Sequence, residues 1–179
     1  FSYEIRDYSP TKYVIRDGHG FMVGAFARLS LDHDHLHPKA AYAYNQIVKN
    51  SFPTYNSFHN NIAQAIERVH LFEEIMIEIE SLSKNIKKPF KLPYRVKGGQ
   101  GFGAIEAPRG TLYHGIKLDD RGTIELYDIV PPTVQNLTNL EEDANQIMKD
   151  NPNMSEEKLT QMIEMLIRAY DPCITCAVH

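Results

Sequence analysis

Cysteine is nearly absent from this chain of 179 residues, and its two copies, Cys173 and Cys176, both fall in the closing segment Asp171-Pro172-Cys173-Ile174-Thr175-Cys176-Ala177-Val178-His179. Metals that select thiolate usually take four protein ligands in a closed site, so a chain with two sulfurs cannot build one by itself. An excess of positive charge is also missing. With 19 Lys+Arg against 23 Asp+Glu and a net charge of −4, there is no basic stripe or polybasic tail. That excludes the electrostatic footprint of nucleic-acid binding. Long hydrophobic runs are lacking as well. No window approaches the roughly 18 consecutive apolar residues of a membrane span, and Phe1-Ser2-Tyr3-Glu4 has neither the basic nor the apolar region of a signal peptide. The expectation is a soluble, cytoplasmic chain with no membrane span. Its first residue is not Met, so Phe1 is expected to follow a cut or a break in a longer protein. The length suits one domain with a real core, or part of a larger one, and neither an internal repeat nor a low-complexity tract is present.

What is there reads as helix-dominated α+β. Tyr3-Glu4-Ile5 and Tyr13-Val14-Ile15 look extended on either side of Ser9-Pro10, and Gly18 and Gly20 precede an apolar run from Phe21 to Phe26. Ala40 to Val48, after Pro38, fits a short helix. From Asn60 to Leu82, the residues Ile62, Ala65, Ile66, Val69, Phe72, Met76, Ile79 and Leu82 recur at steps of three and four, a continuous apolar stripe that must lie against something large. Pro89 and Pro93 end that helical region, and Gly98, Gly99, Gly101 and Gly103 follow. Alternation from Thr111 to Val130 about Asp119-Asp120-Arg121-Gly122 predicts a hairpin. Two helices close the chain, with N-terminal signals at Thr138-x-x-Glu141 and Asn153-x-x-Glu156. Pro172 stops the last of them and delivers the cysteines into a turn. Residues 1–98 thus carry the β segments and long helix, and residues 99–179 the hairpin, two helices and most of the candidate chemistry.

Each candidate site has a plain structural alternative. In Asp32-His33-Asp34-His35-Leu36-His37 the imidazoles are spaced by two, which aligns them on a strand but scatters them on a helix, and Pro38 follows; a solvated turn is the expectation. His19, His59 and His70 are lone residues, expected at the surface or satisfied in the core. Gly99-Gln100-Gly101-Phe102-Gly103 lacks both dinucleotide-binding and P-loop spacing, so its glycines are expected to permit close backbone approach. Arg109, set between Pro108 and Gly110, has its guanidinium aimed by a rigid backbone. It is either a directed functional cation or one half of an ordinary pair with Glu or Asp. Cys173-x-x-Cys176 allows a redox dithiol, half of a zinc site, or two thiolates in a mixed-metal site. The first is disfavoured because the motif follows a helix.

Three ordered motifs resemble the C-terminal half of the nickel-iron hydrogenase large subunit. They are Glu106-Ala107-Pro108-Arg109-Gly110 with Leu112 and His114, Pro131-Pro132-Thr133-x-Gln135-Asn136, and Asp171-Pro172-Cys173-x-x-Cys176-x-x-His179. The resemblance is strongest from Gly99 onward, and its variants are similar to the cytoplasmic branch that passes electrons to NAD(P) or coenzyme F420. The resemblance implies reversible oxidation of dihydrogen at a nickel-iron centre whose iron carries cyanide and carbon monoxide. It implies that Cys173 is the terminal nickel thiolate and Cys176 the thiolate bridging nickel and iron. Arg109 would stand over the open site with Asp171 as its partner, Pro108 and Thr133 would line the cyanide pocket, and His179 with the backbone carbonyl of Ile129 would hold magnesium or a second iron. Iron-sulfur clusters in a partner subunit would carry the electrons.

The family's first Cys-x-x-Cys, its proton-transfer acid and a further acidic ligand have no counterpart in this sequence. A partner segment or chain bearing that Cys-x-x-Cys is therefore expected against the Asn60–Leu82 helix, and a terminus at His179 resembles the processed end of the mature family member. The alternative is a non-catalytic hydrogenase-like subunit, which generally loses the tail cysteines, or an apo maturation fragment that meets a nickel chaperone.

Overall fold

The structure is a computed structural model in which residues 2–84 and 93–178 are described. The opening hairpin pairs β1 (Ser2–Ile5) antiparallel with β2 (Lys12–Ile15), in the register Ser2↔Ile15 to Ile5↔Lys12. Helices α1 (Ala25–Asp32), α2 (Pro38–Ile47) and α3 (Asn60–Lys84) follow. A three-stranded antiparallel sheet then runs in the order β3 (Gly99–Ala107), β4 (Gly110–Leu118), β5 (Ile124–Val130). The chain closes with α4 (Pro132–Asp150), α5 (Glu156–Tyr170) and the single turn α6 (Ile174–Ala177). Helix-dominated α+β is therefore the architecture.

Two apolar clusters hold these elements. The larger joins α1, α2 and the first part of α3 through Phe26, Leu29, Tyr44, Val48, Phe52 and Ile66. The smaller, Val14, Val130, Val134 and Ala177, gathers β2, the end of β5, the start of α4 and the final turn at one point. Between them Asn60, buried at the first position of α3, accepts from the Phe26 amide at 3.0 Å and donates to the Ala169 carbonyl at 2.7 Å. Its amide thus ties the start of α1 to the end of α5, satisfying backbone groups that helix ends leave open.

The long helix corrects the expected stripe. Its buried residues are Asn60, Ala63 and Ile66, with Ala63 inward where the periodicity put Ala65. Beyond the second turn, Leu71, Phe72, Ile75, Met76, Ile79 and Leu82 are exposed. Among the described residues nothing large covers them. The helix runs to Lys84, and the expected stop at Pro89 lies outside the described residues.

The glycine-rich stretch is a strand. β3 pairs with β4 from Gly99↔Leu118 to Ala107↔Gly110, so the predicted hairpin gains a third strand on its upstream side. A Cβ at Gly99, Gly101 or Gly103 would meet nothing within 4 Å, so these glycines do not serve close approach. The expected β4–β5 turn is present, where the Asp119 carboxylate accepts from the amides of Arg121 at 2.9 Å and Thr123 at 2.8 Å.

Helix α4 begins six residues before Thr138, at Pro132, whose fixed φ and missing N–H suit a first-turn position. Thr138 is not a cap; it is buried in mid-helix and donates to the Val14 carbonyl at 3.2 Å. The polar run Thr133, Gln135, Asn136, Thr138 misled the pattern because it faces inward. Gln135, for instance, donates to the Thr111 carbonyl at 2.7 Å. For α5 the N-cap is Ser155 rather than Asn153, with Glu156 and Glu157 in the first turn, where carboxylates favour the helix dipole.

Candidate functional site

Pro108 and Arg109 form the two-residue tip of the β3–β4 hairpin, between the paired residues Ala107 and Gly110. Proline fixes the first tip residue, and Gly110 takes φ +133°, a conformation that side-chain-bearing residues rarely adopt. The tip is wedged from behind. A Cβ on Gly24 would come 2.7 Å from the Arg109 carbonyl oxygen, and one on Gly110 would come 2.5 Å from Val23. Close backbone approach, which the sequence suggested for the glycines of β3, is found here instead.

The Arg109 guanidinium is held by the tail. Helix α5 ends at Asp171, whose φ of 51° and ψ of 54° turn the chain out of the helix, with its N–H bonded to the Arg168 carbonyl. Arg109 Nε donates to the Asp171 carbonyl at 2.6 Å, and Nη2 to its carboxylate at 3.0 Å. Gln64 adds a 3.4 Å contact to the same carboxylate. Arg109 is thus paired with Asp171, with donors left over beyond those that Asp171 takes.

Pro172 then leads to Cys173, whose amide donates to the Thr133 hydroxyl at 3.1 Å. Cys176 bonds back to the Cys173 carbonyl through its amide at 3.1 Å, closing the short turn. The two sulfurs are joined as a disulfide, with the α-carbons 5.2 Å apart. The spacing therefore brings both sulfurs to one point, as expected, but in oxidised form. Only the reduced pair offers thiolates to a metal.

These pieces surround a cavity of about 420 Å³, lined by Pro108, Arg109, Leu112, His114, Ile129, Pro131, Pro132, Thr133, Cys173, Thr175 and Cys176 among others. Three motifs spread over some seventy residues of sequence thus converge on one mostly apolar space. Asp171 acts on it through Arg109. His179 lies outside the described residues, so its expected ligand role has no geometry here. The donor set fits a soft metal in part: two sulfurs are half of a four-sulfur site. Among the described residues no group of three or more His, Cys, Asp and Glu side chains could hold a metal ion.

The histidine run is a 3-10 turn over His33–His35, and His35 is exposed, as a solvated turn requires. Its ends are only partly solvated, which qualifies the expectation. His33 stacks on Tyr44 at 4.8 Å, and His37 stacks on His70 at 4.6 Å while pairing with Glu74. His59 packs against Phe52, and His19 is exposed.

Sequence reasoning missed Arg28. The residue is the one cation within the apolar run from Phe21 to Leu29, a signal that was available. Arg28 binds Glu67, Glu106 and the carbonyls of Ala107 and Pro108. Burial works against its charge, but the hydrogen bonds and negative charge of Glu67 and Glu106 outweigh that, and its pKa is raised. Asn136, whose side chain accepts from the Val23 amide at 2.8 Å, was read only as part of a motif.

Sheet, helices and cavity together define the architecture of a hydrogenase large subunit. The fold matches 99% of this chain to 41% of a chain in the crystal structure of an NAD+-reducing [NiFe]-hydrogenase in the H2-reduced state, with a TM-score of 0.83 and 26% identity. It also matches a [NiFeSe] hydrogenase variant from Desulfovibrio vulgaris Hildenborough over 96% of this chain and 38% of that one, with a TM-score of 0.64 and 25% identity. The model of the nickel-dependent hydrogenase family matches residues 4–179, and the chain belongs to that family. Among its relatives, the alpha chain of sulfhydrogenase 1 from Pyrococcus furiosus is 37% identical over 97% of this chain and 40% of its own length. The beta chain of the NAD-reducing hydrogenase HoxS from Cupriavidus necator is 34% identical over 69% of this chain and 26% of its own. The chain thus spans about two fifths of the sulfhydrogenase chain and of the NAD+-reducing hydrogenase chain that it matches.

Proposed function

We propose that this chain supplies the C-terminal half of the metal site of a hydrogenase that reversibly oxidises dihydrogen to protons and electrons. The observation that carries this reading is the cavity in which Cys173, Cys176, Arg109, Pro108 and Thr133 meet. With the tail reduced, Cys173 would serve as a thiolate ligand to nickel and Cys176 as a thiolate ligand to nickel and iron. When bound, the nickel-iron group with its cyanide and carbon monoxide ligands supplies the polarisation and redox capacity that split dihydrogen. Arg109 contributes a fixed cation beside that space; Asp171 takes its Nε and one Nη2 donor and so orients it before any substrate arrives. The Thr133 hydroxyl accepts from the Cys173 amide, which leaves its own proton free to donate to a cyanide nitrogen next to Pro108. Ile129, through its carbonyl, and His179 would hold magnesium or a second iron.

The remaining ligands come from the family's first Cys-x-x-Cys, on another segment or chain. The bare apolar face of α3 from Leu71 to Leu82 supports such a partner, because so much contiguous apolar surface rarely faces water. An iron-sulfur subunit then receives the electrons. The name of one relative, the NAD-reducing hydrogenase of Cupriavidus necator, supports NAD(P)-linked partners, whereas the F420-non-reducing hydrogenase of Methanococcus voltae gives no support to the F420-linked alternative. A cytoplasmic location agrees with this: among the described residues no helix is long and apolar enough to cross a membrane.

The test is hydrogen-dependent dye reduction by the assembled enzyme, purified without oxygen. Cys176→Ser is expected to abolish activity and lower nickel content. Activity surviving in Cys176→Ser would overturn the reading, and inactivity of fully metallated wild type would favour a non-catalytic relative.

A further inference from the structure

The hairpin tip that carries Arg109 is held by a second arginine outside the cavity. Arg28, on α1, uses every N–H of its guanidinium. Nε and Nη2 donate to the two oxygens of Glu67 at 2.5 and 2.7 Å, Nη2 also to the Pro108 carbonyl at 2.8 Å, and Nη1 to the Ala107 carbonyl at 3.2 Å and to the Glu106 carboxylate. An arginine has five such donors in a rigid plane, so each here has an acceptor. The other oxygen of Glu106 accepts from the Thr111 hydroxyl at 2.5 Å, and Glu106 and Thr111 are cross-strand partners. One guanidinium therefore fixes the last residues of β3, the first of β4 through Glu106, and the two carbonyls that immediately precede Arg109. The wedge of Gly24 and Val23 behind the tip acts on the same backbone.

We propose that Arg28 is the positioning residue for Arg109: it acts through the Ala107–Pro108 backbone to fix where the Arg109 guanidinium stands in the cavity, and touches neither substrate nor cofactor. The inference rests on the hydrogenase reading for its kinetic arm only. A lysine at this position keeps the charge but, with three donors on a flexible stem, cannot hold Glu67, Glu106 and both carbonyls together.

The experiment uses the assembled enzyme with Arg28→Lys, Arg109→Lys and the double variant. Arg28→Lys is expected to lower kcat for hydrogen-dependent dye reduction by about ten- to a hundred-fold, the scale of a small misplacement of a catalytic group, with nickel content unchanged. In the Arg109→Lys background the same change is expected to cost little more, because its target is already gone. Amide hydrogen exchange supplies the reading without activity: exchange over residues 104–113 rises in Arg28→Lys, while that over 156–170 stays as in wild type. Full multiplicative loss in the double variant, an unchanged kcat, or a rise in exchange shared equally by both segments would overturn the proposal. Should Arg28→Lys fail to assemble, Glu106→Gln, which weakens a single arm of the clamp, is judged by the same criteria. An inactive wild type with the expected exchange pattern would sink the hydrogenase reading and leave the clamp standing.

Discussion

At the scale of single residues, the chemistry is a matter of which side chain is held by what. Arg109 is oriented by Asp171 through both carbonyl and carboxylate, so its fork geometry matters as much as its charge. Arg109→Lys is expected to keep nickel and lose most turnover, checked by metal analysis beside dye reduction. Tyr170 gives a pH prediction. Burial and its 2.6 Å hydrogen bond to Asp143 raise its phenol above the ordinary 10.0. The folded state therefore favours the neutral phenol. That stability is fully present below about pH 10 and is lost as pH rises through the folded value. Thermal melts between pH 9 and 12 are expected to fall more steeply for wild type than for Tyr170→Phe; parallel curves would mean that Tyr170 has no part in it.

Among elements, α3 does two jobs along one length. Its first turns join the core, and Ile66→Ala is expected to cost roughly 2–4 kcal/mol by denaturant unfolding, the usual cost of truncating a buried side chain. Its later turns expose Ile75 and Met76. Ile75→Lys is expected to leave the chain's own stability within about 0.5 kcal/mol and to weaken assembly with the Cys-x-x-Cys partner, read by co-purification. The hairpin and the short tail turn depend on each other in a similar way. β3–β4 supplies Arg109, and α5 must end at Asp171 for that arginine to be met.

At the scale of the whole molecule, the proposed function makes this chain half of a metal site, and among the described residues the later turns of α3 expose an apolar face. Purified alone under reducing conditions, it is expected to bind less than stoichiometric nickel and iron. Stoichiometric metal without any partner would refute the division of ligands between two segments. Elements were legible wherever local pattern decided them: the helix α3, though not the stripe it buries, the strands β4 and β5, and Pro172 as a stop all appear where the sequence put them. Pattern failed where polarity and burial part company. The first turns of α4 are polar and buried because their side chains satisfy backbone groups of β2, β4 and β5, which no local window can register. β3 was hidden by glycines, whose lack of a side chain removes the alternation that marks a strand.

The sequence by itself determined the inventory: two thiols three residues apart, an arginine caged by proline and glycine, a polar Thr-x-Gln-Asn run, and no further thiol to complete a metal site. Those follow from covalent spacing and composition, which folding does not change. Only the tertiary structure decided that Arg109 meets Asp171, that Thr133 meets Cys173, that Arg109, Thr133 and Cys173 line one cavity, and that Arg28 clamps the hairpin tip from outside it. Each of these joins residues at least forty positions apart, and such contacts exist only once packing has fixed the elements that carry them.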